Sequence, residues 1–361
     1  MLNGIRIIEI EGIGPGPFAG MTLADLGAEV IVVQRKGGAG EVGGGRPPLT
    51  RGKRAIALDL KDAADLVLLK QLIASADGLI EGFRPGVMER LGLGPEDCQA
   101  IQPRLVYGRM TGWGQDGPMS QQAGHDLNYI SVAGALWYAS PAGQPPLTPP
   151  TLVGDIGGGA LYLVIGLLAG IMEARQTGKG RVVDAAIVDG AAHMMNLLLS
   201  LGATGNLSYD RGQSRLDGPH YSRTYVCADG GFISVQCLEP KFYAAFREIL
   251  GLDQDRDFDD QADRARWPEQ TAKLATIFAA KPRDHWAGVF AGSDACVAPI
   301  LTPEEAAAHP HMQARGTYQP SLGGLQAVAA PRFTGYDPTP RPVASYNQHE
   351  AEIRAELAAK T

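Results

Sequence analysis

Two neighbouring side chains near the middle of the chain, His125 and Asp126, are of types that transfer protons. They follow Gly124 and open a stretch with helical character. Adjacent residues on a helix do not share a face, so both can serve one site only at a helix start, where the backbone is freer. Asp126 would then cap the helix, with Asn128 as the alternative cap, while His125 faces a pocket. A capping aspartate beside an ordinary histidine remains open from these residues alone.

A second carboxylate, Asp155, is followed closely by three glycines at 157–159. The long apolar run after it predicts a helix from about Gly157 to Arg175, with Asp155 at its N-terminus. Because glycines carry no side chain, a ligand could reach the backbone N–H groups there. The simpler alternative is an aspartate that caps a glycine-rich packing helix. Glycines inside a helix cost about 0.8–1 kcal/mol each relative to alanine, which favours a gain beyond capping.

The first glycine-rich loop, Gly12 to Pro17, follows a strand-like run and invites comparison with dinucleotide-binding turns. Pro17 stands in place of the third glycine of that pattern, and Gln34 and Arg35 stand where an acidic residue should end the second strand. A nicotinamide site is therefore disfavoured. The loop either forms a structural turn or lets another nucleotide-bearing ligand approach closely.

Five basic residues surround a second glycine-rich stretch: Arg35, Arg46, Arg51, Lys53 and Arg54. Guanidinium groups match the geometry of phosphate, so this cluster could clamp a phosphate-bearing ligand. The alternative is a solvated loop, which is preferred on these residues alone.

Glu239 and a pair of histidines are weaker candidates. Glu239 ends an apolar strand before Pro240, and ionisable groups in such places are more often simply exposed. His309 and His311 lack a third ligand nearby, so we expect an ordinary loop and no metal site.

Alternating strands and helices must position these candidates. Strands are predicted at 5–10, 29–33, 55–60, 77–81, 104–109 and 182–186, with helical sequence between them. Such alternation is typical of an α/β fold with a parallel sheet, in which ligands bind at the carboxyl ends of the strands.

A change of character after residue 200 predicts a second, smaller domain. A hairpin over 221–227 and 232–239 turns at Asp229-Gly230-Gly231. We divide the chain into a large domain over 1–200 completed by 325–361, a linker over 201–221, a small domain over 222–310 and a linker over 311–324. The tail has one possible strand, at 329–333.

Composition limits the kinds of partner. The chain has 361 residues, 45% of them hydrophobic, and a net charge of −7 without a basic block, so we expect no nucleic acid partner. Four cysteines without paired spacing and an N-terminus without a signal-peptide pattern predict a cytoplasmic protein. The uncharged run from Ile156 to Met172 is shorter than the roughly 20 residues of a spanning helix, so we expect a buried helix and no membrane.

Several short motifs follow one another along nearly the whole chain. They are ADLGAEV at 24–30, RGKR at 51–54, DLK at 59–61, LIEGFRPGV at 79–87, MTGWGQ at 110–115, GHDLNY at 124–129, VGD at 153–155, GKG at 178–180 and VDAA at 183–186. As a set these motifs are specific, although each alone is not. In this order they resemble the alpha-methylacyl-CoA racemases, within the larger CoA-transferase family III.

The resemblance implies a doubly wound, Rossmann-like large domain, a smaller α+β domain and a homodimer of intertwined subunits. It implies that His125 with Asp126 forms one acid/base unit and Asp155 the other, with Glu239 supporting the histidine from the partner subunit. It also implies an acyl-CoA substrate held by a larger set of residues. These are Arg35, Ala55, Ile56, Ala57, Leu58, Gly82, Phe83, Arg84, Arg90, Gly124 and Tyr129.

The implied reaction interconverts (2R)- and (2S)-2-methylacyl-CoA through an enolate. Neutral His125 takes the proton next to the thioester, and protonated Asp155 returns one to the opposite face, which burial of the carboxyl group makes feasible. Backbone N–H groups at 154–158 are the expected donors to the enolate oxygen. CoA is part of the substrate, and no separate cofactor or metal is expected.

Three questions stay open at this level. Met194-Met195 and Leu197–Leu199 could line an acyl channel, but such residues more often belong to the core. A CoA transferase of the same fold would use Asp155 as a nucleophile that forms an acyl anhydride. A non-catalytic CoA-binding protein would need no acid/base pair. By resemblance, transferases lack the histidine–aspartate pair, so His125 favours the racemase.

Overall fold

Six short runs, most of them rich in valine, isoleucine or alanine, form one parallel sheet, because such residues suit strands that are covered on both faces. The structure is a computed structural model that describes residues 1–38, 48–321 and 324–359. The strands of the sheet are β1 Arg6–Ile10, β2 Glu29–Arg35, β3 Lys53–Leu58, β4 Gly78–Glu81, β5 Val106–Thr111 and β6 Val182–Ala186. Their order is β3-β2-β1-β4-β5-β6, and all neighbouring pairs are parallel. The predicted doubly wound α/β fold is confirmed, and the strand ends differ from prediction by one or two residues.

Helices cover both faces of this sheet. In chain order the α-helices are α1 Pro15–Asp25, α2 Ala63–Ala74, α3 Val87–Arg90, α4 Pro95–Ile101, α5 Asp126–Val132, α6 Leu161–Thr177, α7 Ile187–Met194, α8 Asn196–Ser200, α9 Pro240–Ile249, α10 Trp267–Phe278, α11 Arg283–Phe290, α12 Pro303–Ala308, α13 Pro310–Ala314 and α14 Glu350–Ala358, with 3₁₀ turns at Leu201–Thr204 and Arg256–Phe258. Successive strand residues face opposite sides, so Ile7 joins the core under α1 and α6, and Ile8 joins the core under α2 and α14.

The long helix begins earlier than predicted, and in a different geometry. Leu152–Ala160 form a π-helical segment that runs directly into α6. A Cβ added at Gly158 would lie 2.7 Å from the nitrogen of Ala191, and one at Gly159 would lie 2.9 Å from Cγ1 of Ile187. These two glycines therefore let the π-helical segment pack closely on α7, and the expectation that they open the backbone to a ligand is wrong.

The combined helix is long enough to cross a membrane. Leu152–Thr177 spans 26 residues and is apolar enough to qualify, so the prediction that this helix is too short to span a membrane is wrong. One face nevertheless packs on the sheet, where Leu163 and Leu167 share a core with Val106. The outward side is also apolar, and Ile165 is largely exposed. The helix therefore packs through this face onto the parallel sheet.

Two of the basic residues predicted for phosphate binding are used inside the fold. Arg51 donates to both carboxylate oxygens of Asp25, at 3.0 and 2.5 Å, and is almost fully buried. Arg54 binds Glu29 at 2.7 Å and also pairs with acidic residues of α14. Neither interpretation of the cluster, phosphate binding or a solvated loop, holds for Arg51, because a buried carboxylate neutralises its charge.

Lys53 belongs to a buried ion pair with Glu9. Lys53 Nζ lies 2.6 Å from Glu9 Oε2, and the two side chains are 0% and 2% exposed. Burial lowers the pKa of Lys53 and raises the pKa of Glu9. Lys53→Met leaves the Glu9 carboxylate buried without its partner, so we expect a loss of about 3–5 kcal/mol in the free energy of unfolding, measured by urea denaturation.

The double variant Lys53→Met/Glu9→Gln is the matched control, because it removes both charges and should recover most of the loss. The loss in Lys53→Met should also grow as the pH rises above the ordinary pKa of glutamate, because folded Glu9 retains a proton that the unfolded chain releases. Equal losses in the single and double variants would contradict this assignment.

A second unit is formed by Trp137–Leu147 and Met195–His309, and the first by Met1–Leu136, Thr148–Met194 and Pro310–Thr361. Its antiparallel sheet has the order β7-β8-β9, with β7 at Ser222–Val226, β8 at Phe232–Gln236 and β9 at Val297–Ile300. The predicted hairpin is confirmed, since β7 and β8 pair directly across the turn. Helices α9, α10 and α11 pack aromatic side chains such as Phe246, Phe278 and Phe290 against this sheet.

The C-terminal segment closes the free edge of β3. The N–H of Ala55 donates to His349 Nδ1 at 3.1 Å, and the N–H of Ala57 donates to Asn347 Oδ1 at 2.7 Å. Earlier in the tail, β10 Tyr318–Ser321 and β11 Gly324–Ala327 form an antiparallel pair. The strand predicted at 329–333 is wrong, because those residues form no strand and Pro331 has no N–H to contribute to a ladder.

Candidate active site

The candidate site lies at the carboxyl ends of β1 and β4. From these two neighbouring strands the chain leaves in opposite directions, to β2 and to β5, which is where doubly wound sheets bind ligands. Gly14, in the loop after β1, has a left-handed φ of 68°, and a Cβ there would lie 3.7 Å from Oδ2 of Asp155. The loop after β1 and the Asp155 carboxyl group are therefore neighbours.

Asp126 joins the two candidate segments. Its Oδ1 accepts hydrogen bonds from the N–H groups of Gly154 and Asp155, at 2.8 and 2.9 Å. The side chain is buried, and Oδ2 is buried without a hydrogen-bond partner among the described residues. Gly154 is needed for this approach, because a Cβ there would lie only 2.5 Å from Oδ1. Asp126 thus binds the start of the π-helical segment.

The cap of α5 differs from expectation. His125 is the N-cap residue, and its backbone N–H donates to Asn128 Oδ1 at 3.0 Å. The expectation that Asp126 caps its own helix is wrong, and the alternative, Asn128, is the side chain that reaches the helix start. The prediction that His125 and Asp126 diverge is confirmed: the aspartate is buried and the histidine is exposed.

Asp155 is a half-buried carboxyl group with a single described hydrogen-bond donor to its side chain. Thr151 Oγ1 donates to Asp155 Oδ2 at 2.6 Å. Burial raises the pKa of Asp155, and the negative charge of Asp126 raises it further, whereas the hydrogen bond from Thr151 and the charge of His125 lower it. The direction of the net shift favours a carboxyl group that holds a proton more readily than an exposed aspartate.

His125 and Asp155 belong to the same site. His125 precedes Asp126 in the chain, and Asp126 is hydrogen-bonded to the backbone of Asp155. The imidazole is also close enough for its charge to act on the Asp155 carboxyl group. The exposed imidazole and the half-buried carboxyl group thus belong to neighbouring segments that Asp126 holds together.

An aromatic pair forms one side of this region. Tyr129 packs edge-on against Trp113, with ring centroids 4.8 Å apart, and its hydroxyl donates to the carbonyl of Gly124. Gly112 is required here, because a Cβ would collide with the Tyr129 ring. Burial raises the pKa of Tyr129, and the charges of both Asp155 and Arg84 act on it. The loop after β4, which carries Arg84, therefore borders the same region.

Three of the five N–H groups at 154–158 that were expected to bind an enolate oxygen have partners within the fold. The N–H groups of Gly154 and Asp155 bind Asp126, and the N–H of Ile156 donates to the carbonyl of Thr151 at 3.1 Å. The expectation that these three groups stabilise a substrate oxygen is wrong, because they hold the π-helical segment in place.

Comparison with known proteins shows the family. The profile of CoA-transferase family III matches residues 2–349. The chain belongs to CoA-transferase family III. It is 42% identical over 320 residues to alpha-methylacyl-CoA racemase of Mus musculus, which covers 88% of this chain and 82% of that protein. It is 29% identical over 379 residues to acetyl-CoA:oxalate CoA-transferase of Acetobacter aceti, which covers 99% of this chain and 96% of that protein.

Solved structures also match over the full chain. A CAIB/BAIF family protein from Brucella suis has a TM-score of 0.81 and 27% identity, and the match covers 98% of both chains. The resemblance inferred from the sequence motifs is thus confirmed at the level of the family. The relatives include proteins named racemases and proteins named transferases, so membership of the family does not by itself fix the reaction.

In this family III protein, three of the expected CoA-binding residues are exposed arginines near one edge of the sheet. Arg35 ends β2, Arg84 follows β4 by three residues, and Arg90 ends α3. Parallel strands place their carboxyl ends at a common edge, which suits the binding of several phosphates. Phosphate binding by these residues stays a prediction, and Arg46 lies outside the described residues.

The other expected CoA contacts fall into two groups. Gly82 and Phe83 follow β4, where the N–H of Phe83 donates to Glu81 Oε2 at 2.8 Å. Gly124 borders the aromatic pair. By contrast, the stretch 55–58 lies inside β3 and is buried, with its edge covered by the C-terminal segment. Contact between CoA and Ala55, Ile56, Ala57 or Leu58 stays a prediction.

Two further expectations concern the second unit. Glu239 is exposed at the N-cap position of α9, and its support of the histidine stays a prediction. Leu197 is 78% exposed and Leu199 is also exposed. The expectation that these leucines belong to the core, and do not line an acyl channel, is therefore wrong as far as the core is concerned.

Sequence reasoning missed one residue of the site, Thr151. Its backbone is left-handed, with φ of 63°, and it precedes the π-helical segment as N-cap. No pattern predicts a threonine in this conformation, because β-branched residues rarely adopt it. Only the fold shows that its hydroxyl meets Asp155.

Proposed function

We propose that this family III protein is an alpha-methylacyl-CoA racemase that interconverts (2R)- and (2S)-2-methylacyl-CoA. The observation that carries the proposal is the joining of His125 and Asp155 in one site through the carboxylate of Asp126. A racemase needs one group that accepts a proton and another that donates a proton on the opposite side of the same carbon. An imidazole and a carboxyl group with raised pKa are suited to these two tasks near neutral pH.

The proton moves in two steps. Neutral His125 accepts the proton from the carbon next to the thioester, and the electron pair of the broken C–H bond moves into the enolate. The enolate then takes a proton from the carboxyl group of Asp155 on its other face, which leaves imidazolium and carboxylate. The opposite epimer reacts by the same steps in reverse, with Asp155 as base and His125 as acid.

In this scheme Asp126 is a positioning residue rather than a proton carrier. Its Oδ1 is occupied by two backbone N–H groups of the segment that carries Asp155, and its negative charge raises the pKa of Asp155. It therefore ties the helix that follows His125 to the backbone of the segment that carries Asp155.

A CoA transferase is the second candidate. Relatives with that name share the fold, and the half-buried Asp155 could serve as a nucleophile that forms an acyl anhydride. The transferase mechanism has no evident task for His125, whereas the racemase mechanism uses both groups.

One experiment separates these two functions. The protein is incubated with a single epimer of a 2-methylacyl-CoA in D₂O, and both the label at the α-carbon and the stereochemistry are followed. We expect deuterium to enter as handedness is lost. Movement of CoA onto an added carboxylic acid, without label at the α-carbon, would instead identify a transferase. If neither change occurs, the protein only binds CoA.

Assembly and location complete the proposal. We infer that the protein works in the cytoplasm, in lipid metabolism, as a homodimer of intertwined subunits. An exposed apolar side on α6, including Ile165 and Met172, supports burial in an assembly. Sedimentation velocity at micromolar concentration should show a dimer, and a monomer there would refute the assembly.

A further inference from the structure

Thr151 holds an unusual backbone conformation directly before the π-helical segment. Its φ and ψ of 63° and −9° are left-handed. In this region the Cβ of a β-branched residue crowds the backbone, so the conformation persists only where surrounding contacts enforce it. Glycine would adopt it without strain. The presence of threonine therefore indicates that its side chain has a use.

Two contacts of Thr151 show what the conformation achieves. Its hydroxyl donates to Asp155 Oδ2 at 2.6 Å, and its carbonyl accepts the N–H of Ile156 at 3.1 Å. One residue thus binds both the side chain of Asp155 and the backbone beside it. Of the described residues, none donates a hydrogen bond to the other carboxyl oxygen, Oδ1.

We propose that Thr151 is a positioning residue that fixes the Asp155 carboxyl group by occupying Oδ2, so that Oδ1 is the oxygen that gives and takes the substrate proton. The proposal rests on the racemase function for its meaning, but the geometry at Asp155 can be tested without turnover. It adds a residue to the site that acts through Asp155 and need not touch the substrate.

The electrostatic surroundings of Asp155 make the hydroxyl measurable. The groups that act on this carboxyl group are His125, Asp126 and Thr151, and Tyr129 is close enough to sense its charge. Burial and Asp126 raise the pKa of Asp155, whereas Thr151 and His125 lower it. Removing the hydroxyl takes away one of the two interactions that lower the pKa of Asp155. The pKa therefore rises, and the carboxylate that is needed as base forms only at higher pH.

Three substitutions separate the hydroxyl from the backbone. Thr151→Ser keeps the hydroxyl, Thr151→Val keeps the shape without it, and Thr151→Gly accepts the left-handed backbone without it. We expect Val and Gly to slow racemisation about tenfold, as loss of one hydrogen bond to a charged group implies. In both, the pH profile for the epimer that needs Asp155 as base should move to higher pH. Ser should resemble the wild type.

The Asp155 carboxyl group can be titrated directly by ¹³C NMR in protein labelled at aspartate, with Asp155→Asn for assignment. A higher pKa in Val and Gly, but not in Ser, supports the proposal. An Asp155 titration in Gly equal to that of the wild type overturns it, because a purely structural role of Thr151 is satisfied by glycine. If the Val and Gly variants titrate as expected but the wild type does not racemise its substrate, the proposed function alone is refuted.

Discussion

Asp155→Asn should strongly slow racemisation while one epimer still exchanges its α-hydrogen with solvent. An asparagine can neither donate nor accept the proton, so the path across the carbon is broken. His125 still removes the proton that faces it, exchanges it with D₂O and returns deuterium to the same face. Racemisation should fall by about 10²–10⁴-fold, the usual contribution of a general acid or base, while deuterium enters one epimer with retained handedness.

The complementary variant should give the mirror result. In His125→Gln, Asp155 remains as the exchanging group, so the other epimer takes up deuterium with retained handedness. Each variant is assayed with both pure epimers by mass spectrometry for label and by chiral separation of the hydrolysed acids.

Controls for charge and ring loss come from exposed positions to which no role in the reaction is assigned. Asp294→Asn and His285→Gln remove an exposed carboxylate and an exposed imidazole of the second unit, and both should retain full activity. If Asp155→Asn and His125→Gln exchanged the α-hydrogen of the same epimer, the two residues would not act on opposite faces of the substrate. Substantial racemisation in either variant would contradict the assignment of the two proton carriers.

Gly190→Ala should strongly destabilise the first unit. A Cβ at Gly190 would collide with the backbone carbonyl oxygen of Gly158. Because the obstacle is backbone, it cannot move aside as a flexible side chain can. We expect a loss of about 3 kcal/mol in the free energy of unfolding, at the upper end of the range typical of overpacking. Gly158 lies in the segment that carries Asp155, so racemisation in the remaining folded protein should fall as well.

Gly288→Ala is the matched substitution without a steric cost. Gly288 lies within α11, and nothing stands within 4 Å of its added Cβ. Alanine is preferred over glycine inside helices by about 1 kcal/mol, so this variant should be slightly stabilised. Urea denaturation followed by circular dichroism measures both changes. A Gly190→Ala protein as stable as the wild type would show that α7 and the π-helical segment do not depend on this close approach.

Much of the fold was predictable because its signals are local. Runs such as Ile5–Ile10 and Val182–Ala186 are apolar, β-branched and bounded by turn residues, and they form strands close to the predicted positions. The hairpin around Gly230 was equally visible. Predictions failed where the deciding contact is distant in sequence. The helix starts at Leu152 rather than Gly157 because Asp126, far earlier in the chain, binds its first N–H groups.

The same division holds for the site. The sequence by itself determined that an imidazole at 125 and a carboxyl group at 155 were the residues to watch, because each stands at the start of a predicted helix beside glycine. Only the tertiary structure decided what their neighbours do. It turned Lys53 and Arg51 into buried ion pairs, engaged the N–H groups of Gly154 and Asp155, and brought a strained threonine onto Asp155. Residue type sets which protons a group can hold, but folding sets burial and partners, and these decide which charges and donors remain for a substrate.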